Sequence, residues 1–281
     1  TFGAMTFEQE GTYVYEIREN KGDNSGIAYD SHVVTVTVTV TENESNGTLS
    51  ASIAYDNSHG ITAADREVTN AAAFTNTYSA SFNTDTSVDL NGTKNLKVGG
   101  NSNRQLSEAD FYFDVIPVGD TPDEEWTVPN AAGTAENPLS GNITLFKDLQ
   151  YQLSDLGGAQ YKDFVYIVTE QQGNKTGVTY DTTAYRVTIR VTDDGKGIVS
   201  AADPKIEKGS WNADDQTFTP AENGADTTEI VFNNSYTPES YAYTPANIKK
   251  VLDGNRKQNL QADEFDFKMS IVSADPSDGI A

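Results

Sequence analysis

VVTVTVTVT, residues 33–41, alternates along almost its whole length. From Val34 onward, valine takes the even positions and threonine the odd ones. Successive strand side chains point to opposite faces, so one face is valine and the other threonine. β-Branched residues suit such a pleated, half-buried surface. AYRVTIRVT (184–192) repeats the pattern with Arg186 and Arg190 on its polar face. Clusters of Gly, Asn and Asp punctuate the strands. The helical signal is confined to LSEADF (106–111) and LQADEF (260–265), which read equally well as turns. Many short strands without a long helical pattern predict an all-β chain of tandem, immunoglobulin-like antiparallel β-sandwich domains.

The alternating strand belongs to a repeat. TYVYEIRENKGDNSGIAYDSHVVTVTVTV (12–40) matches DFVYIVTEQQGNKTGVTYDTTAYRVTIRV (163–191) nearly without gaps. The match includes a glutamate ending the first strand, a Gly-flanked turn, and the pairs Tyr29-Asp30 and Tyr180-Asp181. A hairpin signal follows in each copy, Asn46-Gly47 and Asp194-Gly195. Each copy then closes on F-x-N-x-Y, as Phe74, Asn76 and Tyr78 or Phe232, Asn234 and Tyr236. RQLSEADFYFDVIPV (104–118) likewise resembles QNLQADEFDFKMSIV (258–272), each downstream of a lysine-bearing strand. The expected layout is a complete domain at 79–236 and the C-terminal portion of another at 1–78. The N-terminal portion of the next, or of the same permuted domain, falls at 237–281.

The two ends also match as if joined. Phe146-x-x-Leu149-x-Tyr151 corresponds to Phe2-x-x-Met5-x-Phe7. One period of a tandem array reads this way; the alternative is two dissimilar half-domains flanking a whole one.

A chain of 281 residues fits about two domains. Its net charge of −23 repels nucleic acid and anionic membrane surfaces. The chain has no cysteine, which excludes a disulfide framework, a cysteine-based zinc site and thiol catalysis. Two histidines, His32 and His59, argue against a multi-histidine metal centre or a histidine-based triad. No apolar run approaches the length of a membrane span, and no signal peptide is recognisable. No cofactor or metal is implied.

Strand parity places polar groups on apolar faces. Tyr13, Tyr15, Ile17 and Glu19 share a face, as do Phe164, Tyr166, Val168 and Glu170. Asn76 lies between Phe74 and Tyr78, and Asn234 between Phe232 and Tyr236, which points both amides inward. Lys94 shares its face with Leu90 and Leu96, and Lys250 with Ile248 and Leu252. Lys97 and Lys249 fall on the opposite faces. Each unit therefore offers a Lys, a Glu and an Asn: Lys94, Glu170 and Asn234 in the complete one, Lys250, Glu19 and Asn76 in the split one. Taken alone, each glutamate reads as a strand end reaching solvent and each lysine as its salt-bridge partner. Repetition of the matched set reverses that reading.

A buried charge is costly unless paired. Burial lowers a lysine pKa and raises that of a carboxylic acid. The neutral amine is a nucleophile, and the neutral acid polarises an amide carbonyl and carries protons. Convergence on the asparagine carboxamide expels ammonia and leaves a side-chain isopeptide bond.

The order of a Lys strand, L-x-x-x-x-F-x-F, Y-x-Y-x-I-x-E, Y-D and F-x-N-x-Y resembles the isopeptide-forming pilin and adhesin domains of Gram-positive surface proteins. These are the FctA or T-antigen-like pilin domains, close to the Cna B-type fold. The resemblance covers essentially the whole chain. The spacing from Lys94 to Leu106 exceeds that from Lys250 to Leu260 by two, so Lys97 stands as the alternative to Lys94. The resemblance implies an autocatalytic Lys–Asn crosslink between the first and last strands of each domain, formed once, with Glu19 and Glu170 as the acids. It implies a structural stalk or shaft segment, secreted and held at the cell surface in the cell wall or a pilus fibre. Neighbouring copies of the same repeat or subunit are the expected partners.

The competing reading is an adhesive module for a host glycan or matrix protein, located in the insertion at about 114–140. An enzyme finds no support, since no acid pair in distinctive loops and no nucleophile with a histidine is present. The acidic loops DTPDEE (120–125) and DDGKG (193–197) lack EF-hand spacing and read as solvated surface. Asn-x-Ser/Thr triplets, such as those at Asn46 and Asn142, read as composition. Trp126 and Trp211 are single loop aromatics and weak signs of a ligand. No sortase sorting motif is recognisable, so a polymerised pilus and a long repetitive adhesin both fit.

Overall fold

The computed structural model describes residues 2–56, 71–99, 102–119, 134–223, 225–239, 248–254, 261 and 263–270. Among these, helix is limited to two single 3-10 turns, Thr84–Thr86 and Leu153–Leu156. The first strands in chain order are β1 (Gly11–Arg18), β2 (Ile27–Ala28), β3 (Val33–Asn43), β4 (Thr48–Asp56), β5 (Thr77–Tyr78) and β6 (Ser81–Phe82). Next come β7 (Val88–Val98), β8 (Ser102–Asn103), β9 (Tyr112–Val118), β10 (Thr134–Glu136), β11 (Asn142–Leu149), β12 (Tyr161–Glu170) and β13 (Val178–Thr179). The last are β14 (Ala184–Asp193), β15 (Ile198–Ala201), β16 (Lys205–Asn212), β17 (Thr217–Pro220), β18 (Asp226–Thr227) and β19 (Val231–Tyr236). The chain is all-β, as the period-two pattern predicts.

Two compact units arise. One contains the residues up to Ser87 with Gln150–Asp163 and Arg190–Asp203; the other contains Val88–Leu149, Phe164–Ile189 and the residues from Pro204 on.

In the first unit β1, β3 and β4 form an antiparallel sheet. Tyr13, Tyr15 and Ile17 lie opposite Val38, Val36 and Val34. The valine face is the buried one: Val34, Val36, Val38 and Val40 form a core against Phe7, Tyr13, Tyr15, Ile17 and Phe74, which are only partly covered. The hairpin at Asn46-Gly47 is a longer loop than the dipeptide alone suggests. Asn43 pairs with Thr48, and the Asn43 carbonyl accepts from both Asn46 and Gly47 N–H. Gly47 adopts φ +68°, which favours glycine. β2 pairs with β5, placing Ile27 opposite Tyr78. Gly26 and Gly197 meet backbone to backbone, and a Cβ on Gly26 would stand 2.6 Å from the Gly197 nitrogen.

The second unit is a sandwich of two sheets. One orders β10-β9-β12-β14, with β16 also on β14 and β17 and β18 on β16; the other orders β11-β7-β19-β13. Facing aromatics fill the space between them. Ring centroids lie 5.0 Å apart for Phe113 and Phe232, 5.7 Å for Phe146 and Tyr166, and 5.4 Å for Tyr185 and Phe232. Each fully buried large apolar side chain of this kind contributes about 1.5–3 kcal/mol. Pairing in this unit is antiparallel except that β19 runs parallel to β7, with Phe232 opposite Lys94 and Asn234 opposite Leu96; in the first unit β6 runs parallel to β15.

LSEADF is a turn and not a helix. Ala109 sits at φ +55°, and Asp110 accepts from Ser107 N–H at 3.2 Å. The same device recurs downstream, with Asp263 at φ +61° and Glu264 accepting from Gln261 N–H at 3.0 Å.

Candidate functional site

Strand β7 presents Val88, Leu90, Lys94 and Leu96 to the sandwich interior. Lys94 is thus carried inward by the same alternation that buries its apolar neighbours. Glu170 is the last residue of β12, and Asn234 is an inward position of β19. The structure brings these three together. Lys94 Nζ donates to Glu170 Oε2 at 2.8 Å, and Asn234 Nδ2 donates to Glu170 Oε1 at 2.7 Å. The Lys94 and Glu170 side chains have no exposed surface, and Asn234 is fully buried. Lys97 lies half-buried on the other face of β7 and Asn233 is exposed, so neither reaches Glu170.

Electrostatics follow from this burial. Loss of water pulls the Lys94 amine below its ordinary value, and contact with Glu170 only partly offsets the shift. Loss of water likewise pushes the Glu170 carboxyl up, against the opposing pull of Lys94. Both shifts favour the neutral amine beside the neutral acid. One carboxyl therefore touches both the nucleophilic nitrogen and the amide nitrogen that would leave.

Other groups complete the site. The Asp181 backbone N–H donates to Asn234 Oδ1 at 2.7 Å. It stands where negative charge would develop on that oxygen during attack. The Asp181 carboxylate is itself held by Thr183 N–H at 2.9 Å and Asn233 N–H at 2.7 Å. The Phe111 ring lies 4.6 Å from Lys94 Nζ and packs edge-on against Tyr180 at 5.7 Å. Buried Asn137 accepts from Phe111 N–H at 2.7 Å and donates to the Ser107 carbonyl at 2.8 Å, fixing the turn that aims Phe111. Sequence reading assigned no role to Asp181, Phe111 or Asn137. The Tyr-Asp repeat and the shared F-x-F were the available signals for the first two; Asn137 carried none.

The first unit repeats most of this geometry. Asn76 Nδ2 donates to Glu19 Oε1 at 2.7 Å, and Asp30 N–H donates to Asn76 Oδ1 at 2.8 Å. Asp30 accepts from Thr75 N–H at 2.7 Å and from His32 N–H at 3.0 Å, the counterparts of the Asn233 and Thr183 bonds. Glu19 Oε2, the counterpart of the oxygen that Lys94 touches, is buried and has no hydrogen-bond partner among the described residues. Asn76 and Tyr78 are exposed, contrary to the inward placement that parity predicts. The physical reason lies in the neighbours: β19 has β13 on one side and β7 on the other, whereas β5 has β2 alone among the described strands.

Lys250 is exposed, and its Nζ lies 4.7 Å from the Phe265 ring. This matches the Lys94–Phe111 contact, although the spacing is 15 residues (265 − 250) and not 17 (111 − 94). The loop 120–125, Trp126 and most of the insertion at 114–140 lie outside the described residues, as does His59. In the loop 193–197, Asp194 is engaged by Lys196 N–H at 2.7 Å and Ile198 N–H at 3.0 Å. Among the described residues no metal-holding cluster forms, and no helix is long and apolar enough to cross a membrane.

Lys94, Glu170 and Asn234 thus form a buried Lys–Glu–Asn triad between the two sheets of a β-sandwich. The family model of the Spy0128-like isopeptide-containing domain, FctA, matches residues 1–79 and 90–237, and the chain belongs to that family. Similar solved structures are Streptococcus pyogenes major pilins. The T3.2 pilin is 17% identical, over 82% of this chain and 69% of that one, with a TM-score of 0.27. A second major pilin is also 17% identical, over 83% and 72%, with a TM-score of 0.23. The T-13 pilin is 18% identical, over 83% and 70%, with a TM-score of 0.20. No curated protein matches the chain.

Proposed function

We propose that this chain is a structural shaft or stalk segment of a bacterial cell-surface pilus or repetitive adhesin, stiffened by an autocatalytic isopeptide bond between Lys94 and Asn234. The observation that carries the reading is the buried Glu170 carboxyl hydrogen-bonded at once to Lys94 Nζ and Asn234 Nδ2. Family membership supports the pilus setting.

In the reaction, neutral Nζ attacks Asn234 Cγ. The oxyanion forms against the Asp181 N–H, and Glu170 passes the amine proton to Nδ2. The Cγ–Nδ2 bond breaks and ammonia leaves. The step occurs once per chain and is not a turnover activity.

The bond would close a loop of 140 residues (234 − 94). By analogy with a disulfide, such a loop contributes about 5 kcal/mol through the unfolded state. It also ties together the neighbouring parallel strands β7 and β19, so tension applied along the domain runs through a covalent link rather than through sheet hydrogen bonds. The domain so locked is the one at 79–236. Proteolytic mapping tests the bond: a branched peptide joining the Lys94 and Asn234 segments is expected, and recovery of only the two linear peptides contradicts it.

A further inference from the structure

In the first unit one turn seats on another. Asn24 Nδ2 donates to the Gly195 carbonyl at 2.8 Å, and Ser25 Oγ donates to the Lys196 carbonyl. Tyr78 packs on Gly26, donates its hydroxyl proton to Asp193 Oδ1 at 2.5 Å and accepts from Gly197 N–H at 3.3 Å. Gly26 is buried beneath the contact. Val199, just beyond the seated turn, is fully buried and lies opposite Phe82 of β6.

Both halves of that contact recur in the repeat, and each is left uncovered. Lys175, Thr176, Gly177 and Tyr236 of the second unit stand at the positions of Asn24, Ser25, Gly26 and Tyr78. Tyr236 packs on Gly177 as Tyr78 packs on Gly26, and Thr237 N–H meets the Gly177 carbonyl as Ser79 N–H meets that of Gly26. Yet Lys175 and Thr176 are exposed and Gly177 is only half-buried. With Arg104 and Tyr236, Lys175 and Thr176 line an open pocket. The other half is the turn after β3. Glu42, Gly47 and Leu49 stand at the positions of Asp193, Gly197 and Val199, and both glycines take a left-handed φ, +68° and +103°. Residues 41–50 are exposed throughout, and Leu49 keeps 38% of its surface where Val199 keeps none.

The charges of the two halves are complementary. The pocket holds Lys175, which pairs with Asp110, and Arg104, whose guanidinium lies 4.5 Å from the Tyr236 ring and makes no ion pair among the described residues. The turn 42–47 carries Glu42 and Glu44 and no cation. We propose that the turn 42–47 of one copy seats on the Lys175–Gly177 turn of a second copy. By analogy with the contact inside the first unit, Glu42 meets the Tyr236 hydroxyl beside Arg104. Gly47 packs on Gly177, Glu44 lies beside Lys175, and Leu49 is covered. Opposite charges at such a contact fix its register and exclude wrong partners. The two halves differ, so the contact is heterologous and runs head to tail. The inference rests on the shaft reading for the presence of a neighbouring copy and does not need the Lys94–Asn234 bond.

The chain has no cysteine, so engineered thiols report the contact cleanly. The test mixes two full-length variants, Thr176→Cys and Asn46→Cys, in equal amounts under mild oxidation. A disulfide-linked heterodimer well above its statistical share over the two homodimers is expected. Adding Lys175→Glu to the first chain is expected to abolish the excess, and adding Glu44→Lys to the second is then expected to restore it. A heterodimer at its statistical share, or an excess that ignores both charge reversals, overturns the docking. The intact mass of each monomer reports the other reading separately. A missing ammonia without heterodimer excess overturns the docking alone, and a full sequence mass with the excess present overturns the Lys94–Asn234 bond alone.

Discussion

Lys94 Nζ lies 2.8 Å from Glu170 Oε2 with both side chains shut away from solvent. A permanent ion pair so placed gives up its hydration for one contact and is a weak source of stability. As a neutral pair set against the Asn234 carboxamide, the same geometry fits the proposed aminolysis.

Replacing Glu170 removes the proton carrier and strands the lysine. Glu170→Ala is expected to retain both the ammonia and an unpartnered buried amine. Losing a crosslink of about 5 kcal/mol lowers the thermal midpoint by about 10–20 °C for a domain of this size. Scanning calorimetry alongside intact mass checks this. A variant that keeps both the crosslink and the wild-type midpoint would remove Glu170 from the reaction.

The rate of bond formation should be bell-shaped in pH. Burial lowers the Lys94 value from its ordinary 10.5 and raises the Glu170 value from its ordinary 4.5. Below the lowered lysine value the amine is protonated; above the raised glutamic value the acid is ionised. A time course of ammonia loss after refolding at a series of pH values should show its maximum between those two ordinary values. A rate that climbs steadily to alkaline pH would mean that the acid form of Glu170 is not required.

Asp181 acts through Asn234. Its carboxylate fixes the Asn233 and Thr183 amides, and its own N–H meets Asn234 Oδ1. Asp181→Ala is expected to slow bond formation at least tenfold while the final crosslinked product still accumulates. The pH optimum should move slightly down, since the Asp181 charge is a minor contributor that raises both the Lys94 and the Glu170 values. An unaltered rate would show that the turn holds without the carboxylate.

Asp30 makes the same bonds in the first unit. The Thr75 N–H, followed by the His32 contacts, holds its carboxyl at about 2, below the ordinary 3.8. A lowered value means the folded form binds its proton less readily. The stability it contributes is present above pH 3.8 and is lost as pH falls through about 2. Acid unfolding followed by near-ultraviolet dichroism should show this loss in the wild type and a flatter response in Asp30→Asn.

Much of this site was legible in the sequence because parity is a strong constraint. A period of two carries Lys94, Glu170 and Asn234 to one side of their strands, and sandwich packing then brings them together. Parity misplaced Asn76, because it says which face a side chain takes but not whether a neighbouring strand covers that face. The role of Asp181 was illegible for another reason: it depends on a backbone N–H set by turn conformation. The parallel pairing of β7 with β19 also left no mark, since alternation is the same whichever way the neighbour runs. The two-residue difference in spacing beyond Lys94 and Lys250 cast doubt on the lysine, yet Phe111 and Phe265 sit over the two amines at nearly equal distances.

The most direct measurement is the intact mass of the folded chain carrying Lys250→Arg, which leaves Lys94–Asn234 as its only proposed reactive pair. The account predicts the sequence mass less one ammonia, with the deficit abolished by a further Asn234→Ala change. A folded chain at its full sequence mass would contradict it.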